Sequence, residues 1–219
     1  MRKTLLIVLI LIIILIGVVL LSRKSAKQEE IFSPKFYMSN QPLKNKKIAM
    51  IIAFRDFRDE EYLIPKQILE NAGAEIATVS NSLGKAVGSQ GGEAEVDLLL
   101  DEARTLDYDA VIFVGGPGAH KYMDNERCHQ IAKESVEAGK VLGAICIAPT
   151  ILAKAGVLKG KRATVWSSIM DKTPIKILQE NGAVYQDKSV VIEGKIITAN
   201  GPASAEEFGE AIVRLLTEQ

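Results

Sequence analysis

Cys146 follows an apolar run, residues 141–145 (Val-Leu-Gly-Ala-Ile), and precedes Ala148-Pro149 and a helix-like stretch, residues 150–155. This pattern puts a thiol at a strand-to-helix turn. There the positive end of a helix lowers a thiol pKa, and the same turn presents a nucleophile on an α/β sheet. A competing reading is a small buried hydrophobe, the usual role of an unpaired cysteine. An activated thiol needs an acid or base within hydrogen-bond reach. The stretch Arg55-Asp-Phe-Arg-Asp-Glu-Glu61 offers Asp56, Asp59, Glu60 and Glu61. A carboxyl group beside a cysteine in a dry turn would be partly protonated and can donate to the sulfur. Acids at this position equally suit a solvated first helical turn. Arg55 and Arg58 read as surface charges; near the thiol, either would stabilise thiolate or bind an anion. Gly115-Gly116-Pro117-Gly118 follows another apolar run, with His120 close behind. The Gly116 and Ile147 N–H groups would together form an oxyanion hole; the bland alternative is a plain turn.

These groups need elements to carry them. Residues 47–54 read as a strand and 60–71 as a helix with apolar Leu63, Ile64, Ile68 and Leu69, closed by Gly73. Strands are predicted at 74–79, 109–114, 141–145 and 162–166, helices at 127–138, 174–181 and 205–216. A Gly-rich hairpin or loop is expected over 84–92. A second hairpin pairs 189–192 with 195–199 around Glu193-Gly194. Strands alternating with helices imply βαβ units and a mostly parallel sheet covered on both faces. Ligands then bind beyond the carboxyl ends of the strands. The loops at 55–61, 115–120 and 146–149 all leave those ends and should converge.

The 219 residues suffice for one sizeable domain. Two cysteines, Cys128 and Cys146, make no disulfide framework. Cys128 falls in the 127–138 helix and reads as a core or surface thiol. With two histidines, His120 and His129, a metal centre is not expected, nor is a cofactor. The formal net charge is zero, but Arg2, Lys3, Arg23, Lys24 and Lys27 precede the first acid. The remainder holds 22 basic and 27 acidic residues, a net of −5, which argues against nucleic-acid binding.

Residues 5–21 form 17 consecutive apolar positions between Arg2-Lys3 and Arg23-Lys24, just long enough for a spanning helix. No small-residue cleavage site follows, so an uncleaved anchor is favoured over a signal peptide. The expected organisation is a transmembrane anchor at 1–24, a polar tether at 25–46 and a domain at 47–219. The basic start favours a domain on the extracytoplasmic side.

From about Lys46 onward the chain resembles the ThiJ/PfpI family (the DJ-one/PfpI superfamily), whose fold is class I glutamine-amidotransferase-like and flavodoxin-like. The resemblance rests on Phe57-x-Asp59-x-Glu61 with Pro65, Val114-Gly115-Gly116, Ala144-Ile145-Cys146-x-Ala148-Pro149, Gly156-Val157-Leu158-Lys159-Gly160-Lys161 and Ile197-Thr198-Ala199-x-Gly201-Pro202. It implies a flavodoxin-like three-layer sandwich, a nucleophile at Cys146 and homo-oligomers. It also implies activities among metal-independent glyoxalases, deglycases, chaperones and peptidases. By this alignment the family's acid falls at Arg58. Ile147 stands where peptidase-like members carry histidine, and Trp166 where others do. The expected site is therefore Cys146 with the Gly116 and Ile147 N–H groups, lined by Arg58, Asp59, Glu61, Gly115, His120 and Trp166. The leading expectation is action on small electrophiles such as reactive carbonyls, or oxidant sensing. The alternatives are a non-catalytic module that has lost its Glu and His partners, and a peptidase or amidase using Cys146 with His120.

Overall fold

The computed structural model describes residues 41–218. The expected transmembrane anchor and most of the tether lie outside these residues. Among the described residues, no helix is long and apolar enough to cross a membrane. The tail of the expected tether, 41–46, is packed: Leu43 is fully buried and its N–H donates to the Ala72 carbonyl.

A seven-stranded sheet forms the middle layer. Its strands are β1 (Lys47–Ile51), β3 (Glu75–Ser80), β6 (Leu98–Leu99), β7 (Ala110–Phe113), β8 (Val141–Ile145), β11 (Val190–Glu193) and β12 (Ile196–Ala199), in the order β11-β12-β8-β7-β1-β3-β6. All neighbours are parallel except β11 and β12, the hairpin expected around Glu193-Gly194. The four central strands β12, β8, β7 and β1 are buried almost throughout, as a parallel sheet sandwiched between helices requires.

One face carries α1 (Asp59–Asn71) and α5 (Ala205–Thr217), which pack on each other. The other carries α2 (Glu126–Glu137), α3 (Pro149–Lys154) and α4 (Thr173–Glu180). Gly143 in β8 makes room for α5, because a Cβ there would lie 2.9 Å from the Phe208 ring. This is the α/β architecture with a mostly parallel sheet that the alternating pattern implies.

Three differences from the sequence reading bear on the site. The Gly-rich stretch takes the first of its two expected forms, a hairpin of β4 (Gly84–Gly88) with β5 (Glu93–Val96), but β4 also pairs with a short strand, β2 (Arg55–Phe57). The β2 strand was not anticipated. Helix α1 does not bury the stripe its apolar residues suggest: Leu63 and Ile64 are 43% and 38% exposed, while Asp59, Glu61, Tyr62, Pro65 and Leu69 are buried. Finally, the strand expected over 162–166 stops after two residues, β9 (Arg162–Ala163), which pairs with β10 (Val184–Tyr185). Thr164 and Trp166 leave that pairing to bond elsewhere. The Thr164 N–H donates to Thr198 Oγ1, and the Trp166 N–H to the Cys146 carbonyl at 2.8 Å.

Candidate active site

Cys146 sits immediately beyond β8 with φ +64°, a left-handed conformation unusual for a residue with a side chain. Its N–H still donates to the Ala199 carbonyl of β12, and its own carbonyl accepts from Trp166. The strained residue is thus held from both sides while the chain turns into α3. The sulfur faces a pocket of about 320 Å³ lined by Arg58, Glu61, Gly116, Pro117, His120, Cys146, Ile147, Trp166 and Pro202. The three loops expected to converge do so.

The N–H groups of Gly116 and Ile147 both act on the Cys146 sulfur, pulling its thiol downward. They are the pair expected to serve as an oxyanion hole, and they already favour negative charge at this point. Gly116, at φ +102°, packs against the turn into α1: a Cβ there would lie 2.3 Å from the Arg58 nitrogen. Gly115 does not line the pocket. It packs against both the thiol residue and the acid: a Cβ there would sit 2.5 Å from both the Cys146 Cβ and Glu61 Oε2.

The acid partner is present, and it is Glu61 rather than the residue at position 58. Its side chain is completely buried. Neither carboxyl oxygen makes a well-formed hydrogen bond. The polar groups acting on it most directly are the Cys146 thiol and the Gly115 N–H. Contacts too long or bent to satisfy a charge leave burial in control, and the Glu61 carboxyl is pushed up to about 7. The thiol, too, is raised, first by burial and then by the Glu61 charge, against the pull of the two N–H groups. The expectation of a thiol pKa lowered by a following helix is therefore corrected. Helix α3 has only six residues, and burial beside an acid prevails. Thiol and carboxyl behave as one coupled site. With Glu61 protonated, its O–H can donate to the sulfur.

The neighbouring acids have other work. Asp59 was expected near the pocket but points away from it, accepting from the Gln90 and Gly92 N–H groups at 2.9 and 2.5 Å. It pins the β4–β5 turn, which explains the glycines there: a Cβ at Gly88 or Gly92 would meet the Asp59 carboxylate at 2.5 or 2.3 Å. Glu60 pairs with the Arg58 guanidinium at 2.8 Å. Arg58 itself lines the pocket, as expected, and its N–H donates to the Gly115 carbonyl. Its charge works against the upward shift of Glu61. His120 lines the same pocket from the 3₁₀ turn Pro117–Tyr122 and is exposed. Trp166 also lines the pocket and is partly buried. Sequence reasoning missed Pro117 and Pro202 as pocket walls, although both sit in glycine-proline motifs. The inward stripe Glu61, Pro65, Leu69, spaced by four, was the signal for the acid. Among the described residues, no group of three or more histidine, cysteine or acidic side chains is placed to hold a metal ion.

Fold and site together define an α/β protein with a coupled thiol–carboxyl pair at a strand-to-helix elbow. The chain belongs to the DJ-1/PfpI family, whose profile it matches over residues 46–215. It is 38% identical to an uncharacterized protein of Methanocaldococcus jannaschii, an alignment covering 80% of this chain and 84% of that one. It is 31% identical to a deglycase of Thermococcus kodakarensis, covering 77% and 98%. Among solved structures, a ThiJ/PfpI domain protein from Brachyspira murdochii superposes with a TM-score of 0.76 at 32% identity, covering 80% and 99%.

Proposed function

We propose that the domain processes small reactive carbonyl compounds through Cys146, with Glu61 as its proton carrier. The observation that carries this reading is the fully buried Glu61 against the Cys146 thiol, its carboxyl poised near neutrality. Likeness to a relative named as a deglycase supports the substrate class. An aldehyde entering the pocket places its oxygen toward the Gly116 and Ile147 N–H groups. The sulfur forms a bond to the carbonyl carbon, the C=O π pair moves to oxygen, and the proton held by the thiol–carboxyl pair passes to that oxygen. The product is a hemithioacetal. With an α-oxoaldehyde, Glu61 carboxylate then removes the hydrogen of that carbon and the resulting enediol is reprotonated on the adjacent carbon. This leaves a thioester that water cleaves to a 2-hydroxy acid and free Cys146. The sequence is a net hydration and consumes no oxidant or reductant.

The test is conversion of methylglyoxal to lactate by the full chain and by Cys146→Ala. Turnover in the first and none in the second is expected; equal rates, or none in either, would overturn the reading. A thiol that is not fully buried and lies beside two backbone N–H groups also favours oxidant sensing. Stoichiometric peroxide oxidation at Cys146 without methylglyoxal turnover would select that alternative. The non-catalytic reading rested on missing Glu and His partners, and the buried Glu61 beside the thiol weighs against the first half of that motive.

We further propose that residues 5–21 anchor the protein in the membrane by a single pass, with the domain extracytoplasmic and self-associating. The length of the apolar run supports the anchor. Protease digestion of the domain in cells with intact membranes is the expected result.

A further inference from the structure

On the far side of the Pro117–Tyr122 turn lies a second pocket, of about 270 Å³, that shares no lining residue with the first. Pro117 and His120 face the Cys146 pocket; Gly118, Lys121 and Tyr122 face the second. The rest of its wall is Ala53, Phe54, Arg55, Asn81 and Asn125. These residues leave the carboxyl ends of β1 and β3 and precede α2. The chain passes from β1 to β3 on one side and returns later to β7 on the other, so β1 borders the topological switch point of the sheet. Open parallel sheets bind ligands there.

The polar groups around this pocket are one-sided. Arg55 and Lys121 have no ion-pair partner among the described residues, and the Arg55 guanidinium is steadied over the Phe54 ring at 5.7 Å. Asn125 Oδ1 caps α2 by accepting the Cys128 N–H at 2.9 Å. Asn81 Oδ1 accepts from the Phe54 N–H at 3.4 Å, and the Tyr122 hydroxyl lies 2.8 Å from it. Backbone donors fix the orientation of both amides, so their Nδ2 groups are what remains to offer. The Tyr122 hydroxyl is itself occupied, lying 3.1 Å from the Ile52 carbonyl and accepting the Asn81 N–H at 3.2 Å. No carboxylate lines the pocket. Two exposed cationic residues and two asparagines line one pocket, the asparagine and tyrosine side-chain acceptors are already committed, and the start of the twelve-residue α2 adds its positive end.

We propose that this pocket binds a phosphate-type oxyanion, either inorganic phosphate or the phosphoryl group of a small monoester, at a site distinct from Cys146. Arg55 supplies a planar fork for two oxygens, Lys121 a point charge, and the asparagine amides complete the shell. Neither cation has a role in the chemistry proposed at the thiol.

Calorimetric titration of the full chain in nonionic detergent at low salt tests this, using inorganic phosphate in one arm and glycerol 3-phosphate in the other. One saturable site is expected, on the order of tenfold weaker in Arg55→Gln and in Lys121→Gln. It should be unchanged in Cys146→Ala, so the outcome is independent of the proposed catalysis. Equal affinity in the two arms would assign inorganic phosphate; tighter binding of glycerol 3-phosphate would assign an organic monoester. Absence of saturation at millimolar ligand, unaltered binding in both cation variants, or loss of binding in Cys146→Ala would overturn the proposal.

Discussion

The two cysteines occupy opposite kinds of environment. Cys128 lies in the first turn of α2, fully buried among Ile131, Ala132 and the sheet, and burial pushes its thiol up to about 12. Cys146 is likewise raised by burial, but it also has a carboxyl group, two backbone N–H groups acting on it and a pocket. Burial alone disfavours the reactive thiolate at either position. What distinguishes Cys146 is a partner that can hold the proton the sulfur gives up. That partner exists because α1 starts where it does, aiming Glu61 rather than Glu60 or Asp59 at the end of β8.

The largest test removes the proton carrier and leaves the shape. Glu61→Gln should lower carbonyl turnover by about 10²–10⁴-fold, the usual weight of general acid–base help. The same substitution should raise stability at alkaline pH. With a carboxyl pKa raised from 4.5 to about 7, the folded state binds more protons than the unfolded one between those values. Stability contributed at this site therefore falls as pH rises from about 4.5 to about 7, and the full penalty, about 3 kcal/mol, applies above that. Denaturant titrations of wild type and Glu61→Gln should diverge in this window, with the variant the more stable at pH 8. Parallel curves would remove the argument for a buried, proton-holding acid.

A second test sets one thiol directly against the other. Iodoacetamide should modify Cys146 roughly 10²-fold faster than Cys128, which reacts only through local opening of α2. Peptide mass mapping over time reads both sites in one experiment, and comparable rates would dissolve the distinction. A smaller effect is expected from Gly115→Ala. The new methyl would press on both the Cys146 Cβ and Glu61 Oε2, so the pair must separate. A stability cost of about 1–3 kcal/mol should accompany reduced turnover, measurable by thermal unfolding and the methylglyoxal assay. An Ala variant with native stability and rate would show that the thiol and acid need not be held this tightly.

Much of this was legible in the chain. Apolar runs of strand length alternating with helical stretches imply the parallel sheet, because a strand buried on both faces is mostly apolar along its length. The elbow cysteine, the Gly115-Gly116 loop and the convergence of three loops follow from where those runs end. Less legible was the first turn of α1. Three consecutive acids point about 100° apart around a helix, so their fates diverge. Asp59 pins a hairpin, Glu60 pairs with Arg58, and Glu61 goes inward. The apolar Leu63 and Ile64 suggested a different inward face. Trp166 was placed near the site, but its route there was not foreseen, since β9 ends early so that the Trp166 N–H can reach the Cys146 carbonyl.

The sequence by itself determined the fold class, the thiol's position and the need for glycine at 115 and 116, because these depend on local patterns and on steric limits of the backbone. Only the tertiary structure decided which acid meets the thiol and that both of their pKa values rise. It alone brought Arg55, Lys121, Asn81 and Asn125 to one pocket. Those outcomes depend on distance, burial and the phase of a helix against a sheet, all of which are set by residues far apart in the chain.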